Sequence, residues 1–272
     1  MAVIRMRKRK PVSNWTILVA RLLIVVAILG SWEYASGRWV QTYVVSKPSL
    51  VALSFAEAVS SGKLWLHTKV TLLEILVGYP IGSFAGILTG YLLGESRTAA
   101  RVLEPILMGL YGIPRTALAP LFIIWLGIGI WSKVGVVILM TFFLTFFNTY
   151  SGMRHLDRDL INLALLMGAK GATVTLRVVF PSISPQVFVG LKTALPQAVI
   201  GAVVGEFIVS TAGLGYYIKQ AAALFDPAGL WVGVLVLMAA VLLINWGLDS
   251  LEGRLMRWKP QEEEQEGVQV TN

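Results

Sequence analysis

Six stretches of this chain are apolar over lengths that only a membrane helix needs: residues 15–35, 67–94, 102–126, 133–151, 184–210 and 229–251. Crossing a hydrocarbon core of roughly 30 Å takes about 20 helical residues. Inside that core each backbone N–H and C=O must be satisfied within the protein, which a helix achieves by itself. The alternating pattern of barrel strands, about 10 residues per segment, is missing. Composition agrees, since 56% of residues are hydrophobic and 14% charged, more apolar surface than a water-soluble domain can cover. The expected class is all-α, a polytopic membrane protein with six transmembrane helices.

The basic residues set its orientation. With the N-terminus inside, segments 1–14, 95–101, 152–183 and 252–272 carry 14 Lys and Arg, against 4 in segments 36–66, 127–132 and 211–228. Cationic loops stay in the cytoplasm, so both termini are expected there. Arg21, Lys69 and Lys133 lie near enough to span ends to snorkel, whereas Arg115 and Lys192 lie deeper. The net charge of +8 is spread between apolar runs without a stripe or a reader motif. Lipid is therefore the expected partner, and nucleic acid is not. The first span follows the basic run Arg7-Lys8-Arg9-Lys10 and reads as an uncleaved anchor, because removing it leaves the polar segment 36–66 leading the chain. The expected organisation is a basic N-terminus at 1–14, one membrane domain at 15–259 and a polar, acidic, disordered tail at 260–272.

Several chemistries are excluded. Cys is absent, and His67 and His155 stand far apart, so no metal-ligand spacing exists. There is no His-Glu-x-x-His cluster for an intramembrane protease. There is no Gly-x4-Gly-Lys-Ser/Thr loop either, so the chain cannot cradle the phosphates of ATP. It is expected to be neither an enzyme nor the holder of a cofactor.

Two spans have unusual interiors. Gly78, Gly82, Gly86, Gly90 and Gly94 recur every four residues, each about 40° round the helix from the last. They form a smooth groove that another helix backbone can approach closely. The third span holds Pro105, Pro114 and Pro120, and a broken helix at membrane depth lines a cavity or is covered by protein. Arg115 follows Pro114 near mid-span, where a charge costs roughly 2.5–3.5 kcal/mol and so needs a pore or a carboxylate. Glu206 in the fifth span is one partner on offer.

The loop 152–183 is the longest internal cytoplasmic segment. Asp157 or Asp159 can cap a helix running to Met167, and Gly168 or Gly171 can end it. Such a helix is too short to span and too apolar to lie bare, so it folds back on its own spans or meets a partner.

This loop resembles the EAA signature of binding-protein-dependent permeases, which runs Glu-Ala-Ala, three residues, Gly, nine residues, then Ile-x-Leu-Pro. Asn162-Leu163-Ala164 fills the first place, Gly168 follows at the right distance, and nine residues later stand Val178-Val179-Phe180-Pro181. Asn162 replaces the Glu, which removes one carboxylate from the contact but leaves the docking helix. Ser46-Lys47-Pro48-Ser49 and the run Gly112–Gly129 narrow the resemblance to nitrate/sulfonate/taurine/bicarbonate-type permeases. Phe147-Asn148-Thr149, Gly190-Leu191-Lys192, Gly205-Glu206-Phe207 and Gly213-Leu214-Gly215-Tyr216 follow in order.

The resemblance implies the type I ABC importer permease fold in a bacterial inner membrane. It also implies a second permease copy forming a homodimer, two ATP-binding subunits that carry ATP and Mg, and an extracytoplasmic solute-binding protein. Asp157, Asp159, Asn162, Leu163, Ala164, Gly168, Ala169 and Pro181 would couple to the ATPase. Arg115, Trp125, Lys192 and Glu206 would line the solute path, and Pro48, Ser49, Gly213 and Gly215 would meet the binding protein. Arg115 and Lys192 suit a small anion such as a sulfonate, nitrate, taurine or bicarbonate. Relatives that move aromatic or heterocyclic vitamin precursors make that the alternative. An ion-coupled carrier using Arg115, Lys192 and Glu206 as a relay is the rival of a different class.

Overall fold

The computed structural model describes residues 14–256, so the expected N-terminal segment before Asn14 and the tail at 260–272, with both termini, lie outside the described residues. In chain order the helices are α1 (Asn14–Ala35), α2 (Thr42–Val45), α3 (Pro48–Ser60), α4 (Lys63–Glu95), α5 (Arg97–Tyr111) and α6 (Ala119–Leu126). They continue with α7 (Ile130–Arg154), α8 (Arg158–Leu166), α9 (Ala172–Val174), α10 (Phe180–Ile208), α11 (Leu214–Ala223) and α12 (Pro227–Leu255). Five described segments are long and apolar enough to cross a membrane: α1, α4, α7, the 37 residues from Ala172 through α10, and α12.

The third expected span, 102–126, is not one rod. It is the pair α5 and α6, bent by 83°. Pro114 lacks an N–H and pushes Ile113 out of the helical region, so α5 stops before it. Pro114 is extended (ψ 97°), a 3-10 turn covers Arg115–Leu118, and α6 restarts with Pro120 in its first turn. There the missing donor would have been unpaired anyway. Pro105 sits inside α5 without ending it.

The fifth span starts earlier than 184, so the loop expected at 152–183 is shorter. α9 runs through a π-helical turn, Thr175–Val179, directly into α10. Pro185 cannot donate to the Pro181 carbonyl, and the Ser184 hydroxyl does so instead at 2.8 Å. Ser182 Oγ likewise donates to the Val178 carbonyl at 2.7 Å.

The core is α4, α7 and α10, joined through Ile75, Tyr79, Val137, Ala194, Leu195, Ala198 and Ala202. The α4 glycines lie on α7 as the groove predicts. Gly78 meets Val137, Gly82 meets Thr141 and the Ile138 backbone, and Gly86 meets Thr145 and the Phe142 carbonyl. Gly90 meets Phe146 and Thr149, and Gly94 meets Met153, so the register advances by one helical turn per glycine. Thr141 and Thr145 give their hydroxyl protons to carbonyls of their own helix, so these two side chains are satisfied without crossing the seam.

The flanking helices are lipid-facing in composition. On α1, Leu22, Leu23 and Val26 are exposed, as are Leu242, Leu243 and Trp246 on α12. α1 is anchored near its C-terminal end, where Trp32 packs on Trp231 at 5.0 Å and donates to the Ser46 carbonyl at 3.2 Å.

Candidate functional site

Between the end of α7 and the start of α9, α8 is built as an independent short helix. Asp157 caps it, accepting from the Asp159 N–H at 2.9 Å. Gly168 ends it at φ +89°, its N–H donating to the Leu165 carbonyl at 2.9 Å while the Ala169 N–H donates to the Ala164 carbonyl at 3.0 Å. Those two bonds are a Schellman closure, which needs the left-handed conformation glycine adopts freely. The spacing from Ala164 to Gly168 is therefore the geometry of a helix end.

One face of α8 is covered. Ile161, with the adjacent Leu156 and Ala169, packs on Val174, Val179 and Ile183 alongside Tyr91 and Met153. The other face is bare: Leu160, Leu163, Leu166 and Met167 are exposed, the last two at 86% and 81%. Beside it opens a cleft of about 430 Å³ lined by Leu160, Leu163, Ala164, Met167, Val178 and Pro181 among others. The fold-back reading thus holds for one face of the helix, and the opposite face is left uncovered among the described residues. Leu163, Ala164 and Pro181 come together, while Asp157, Asp159 and Asn162 lie exposed along the helix.

Arg115 lies at the bend between α5 and α6. Its guanidinium sits 4.6 Å over the Tyr111 ring, and that ring meets Phe143 and Phe147 edge-on at 5.8 and 5.0 Å. Phe143 is midway along α7, which puts Arg115 at mid-depth. Arg115 is not paired with Glu206; its Nη1 is buried without a hydrogen-bond partner among the described residues. Trp125 is 64% exposed on α6, against Phe122. Lys192 is held by two acids of α12, Asp249 at 2.6 Å and Glu252, so its charge is answered within the chain.

Glu206 does not line an open path. It is fully buried, accepting from the Thr71 hydroxyl at 2.6 Å and from the Gly215 N–H. The Leu214 N–H donates to Thr71 Oγ1 at 2.7 Å, and the Gly213 N–H lies 3.1 Å from His67 Nδ1. Gly213 and Gly215 are correspondingly buried and do not face outward as expected; a Cβ on either would strike the Glu206 carboxylate. Lys133, expected to snorkel, is buried, 2.7 Å from Glu74 and 3.0 Å from Ser210 Oγ. Its partner Glu74 was legible as a lone carboxylate inside the second span, since opposite charges in lipid require one another. Pro48 and Ser49 open α3 instead of lying in a loop, and Ser49 donates its N–H and hydroxyl to Glu33 of α1 at 3.0 and 2.8 Å.

Comparison with known proteins matches residues 78–257 to the family described as binding-protein-dependent transport system inner membrane component. The formylaminopyrimidine transport permease protein ThiX of Halalkalibacterium halodurans is 32% identical over 240 residues, 88% of this chain and 96% of that one. SsuC of Escherichia coli, named for aliphatic sulfonates transport, is 31% identical over 92% of this chain and 95% of its own. The riboflavin transport system permease protein RibX of Chloroflexus aurantiacus is 38% identical over 80% and 81%. Among solved structures, an inward-facing form of the MetNI methionine ABC transporter superposes with a TM-score of 0.62 at 19% identity, over 72% of this chain and 96% of that one.

Proposed function

This chain belongs to the binding-protein-dependent transport system inner membrane components, the permease subunits of ABC importers, and from that premise we propose how it is driven and what it carries. It has the all-α fold of a type I importer permease and is not itself an enzyme. On our reading, the bare face of α8 docks on an ATP-binding subunit, and two such subunits holding ATP and Mg serve two copies of this chain. The observation that carries this is the two-faced α8, whose one apolar face is covered and whose other is not. An apolar surface of that kind at the inner end of a bundle calls for a protein partner.

The geometry also supplies the transmission. The covered face of α8 rests on Val179 and Ile183 at the start of the α10 span and on Met153 at the end of α7. A push on α8 is therefore delivered to α7 and α10 together, as a rigid-body displacement. At the far end the same helices are tied to α4 and to the start of α11 through Glu206, Thr71, Lys133 and Glu74. Closure of the ATPase pair then rocks each permease as a unit, and two copies together enclose the path in the bacterial inner membrane with both termini in the cytoplasm. The binding protein delivers solute at the outer ends, around α3 and α11.

For the solute we propose a small molecule with an anionic group, such as a sulfonate. Arg115 supports this, being a mid-depth cation with a free guanidinium nitrogen and no ion pair among the described residues. The Tyr111–Phe143–Phe147 cluster beneath it favours a second reading, a planar heterocycle, in line with the names of ThiX and RibX. The test is uptake into proteoliposomes holding the permease, its ATPase and its binding protein. Uptake that needs ATP and survives collapse of the proton gradient supports the importer; uptake without the ATPase contradicts it. Thermal stabilisation of the binding protein by sulfonates or by pyrimidines and flavins decides between the solutes.

A further inference from the structure

A second cleft lies at the inner end of the bundle, away from the bare face of α8. It has a volume of about 400 Å³ and opens between the start of α5, the end of α7 and the start of α8. Arg97, Arg101, Arg154 and Arg158 all line it. Among the described residues none of the four takes part in an ion pair. Glu104 is the one carboxylate in the lining, and it accepts a hydrogen bond from the Tyr150 hydroxyl at 2.7 Å. Of the acids nearby, Asp157 is engaged in capping α8, and Glu95 lines the neighbouring cleft.

Four guanidiniums facing one hollow repel each other, and a single carboxylate does not balance them. An anion with several oxygens relieves that repulsion, and the planar fork of arginine matches phosphate in particular. The surroundings select among phosphate sources. From Arg101 onward α5 turns an apolar surface outward, with Val102, Leu103 and Ile106 all exposed. A phosphate in the cleft thus has a greasy strip leading away from it, which an acyl chain fits and a water-soluble phosphate does not use.

We propose that this cleft binds the headgroup of an anionic phospholipid of the cytoplasmic leaflet, with its chains lying along α5. The inference rests on the orientation given above, which puts this end inside, where basic pockets between helices meet anionic lipid. Arg154 ends α7 and Arg158 begins α8, so one headgroup bridges both sides of the short connection that carries α8. The lipid braces α8 from behind while its front face meets the ATPase.

The experiment uses the assembled importer, permease with ATPase, in nanodiscs of phosphatidylcholine with or without cardiolipin, and native mass spectrometry to count retained lipid. Wild type is expected to retain cardiolipin over phosphatidylcholine. The variant R97Q/R101Q should bind it about 30-fold more weakly, on the usual attraction per basic side chain at an anionic surface. R97K/R101K should keep most of the binding. R254Q, which removes a basic residue of the same end outside the cleft, should keep all of it. Equal loss in R254Q, or full retention in R97Q/R101Q, overturns the proposal. So does displacement of the lipid by millimolar inorganic phosphate, which would make free phosphate the ligand. Should R97Q/R101Q fail to assemble, photoreactive cardiolipin on wild type decides: labelling within 97–104 or 153–158 supports the site, and labelling only elsewhere refutes it. Failure of ATP-driven uptake in the earlier test would leave these lipid counts unaffected, so the two readings fall separately.

Discussion

Lys133 of α7 and Glu74 of α4 form an ion pair at 2.7 Å, with side chains 9% and 0% exposed. The same Lys133 nitrogen reaches Ser210, so one cation ties two core helices to the segment that leads into α11. A buried pair is costly to break from one side, because the remaining charge has neither water nor partner. Lys133→Met is therefore expected to destabilise the protein by about 3–5 kcal/mol. The double variant K133M/E74Q should recover much of that loss. Thermal unfolding in detergent followed by tryptophan fluorescence checks both; equal melting of K133M and wild type would show that the pair carries no stability.

The α4–α7 seam gives a second expectation. A Cβ at Gly86 would run into Thr145 and into the backbone of Phe142 and Phe146, which cannot swing aside as a side chain does. Gly86→Ala should cost about 1–3 kcal/mol by overpacking. Gly247→Ala, with nothing within 4 Å of its Cβ, is the matched control and should melt as wild type does.

Gly168 tests the end of α8 without touching its contacts. Its Cβ position is open, but its φ of +89° belongs to glycine, so Gly168→Ala brings backbone strain of about 1–2 kcal/mol and no clash. Faster hydrogen exchange at the last amides of α8 and a several-fold fall in binding-protein-stimulated ATPase activity are expected. Gly168→Asn, which tolerates that conformation better, should fall between the two. Exchange and activity identical to wild type in G168A would remove the helix end from the coupling path.

Arg115 separates the two solute readings. Arg115→Gln should abolish uptake of an anionic solute, since the mid-depth cation is gone, and should leave most uptake of a neutral heterocycle held by Tyr111 and its aromatic neighbours. Initial uptake rates in proteoliposomes measure this. Undiminished anion uptake by R115Q would exclude Arg115 from solute recognition.

Much of this architecture was legible because lipid leaves a chain few choices. The approximate places of the spans, the glycine groove and the two ends of α8 follow from hydropathy, helical periodicity and capping chemistry, and Asp157 and Gly168 stand where those rules put them. What sequence reasoning missed depends on long-range pairing. Nothing local shows that Lys192 meets Asp249 and Glu252 from α12, or that Glu206 turns away from Arg115 to hold Thr71 and Gly215. Burial of Gly213 and Gly215 has the same origin, since their short backbone approach serves the Glu206 carboxylate and not a partner outside. Pro114 announced a break, but the size of the bend is set by how α5 and α6 each pack on α7.

The bare face of α8, proposed as the docking face, is best tested by charging it. Leu163 and Leu166 are exposed and make no part of the core, so L163D/L166D should insert, fold and melt as wild type does. In proteoliposomes with the ATPase and binding protein, the expected result is loss of ATP-driven solute uptake, with the ATPase no longer copurifying. Uptake at the wild-type rate by that variant would contradict the claim that this helix is where the ATPase takes hold.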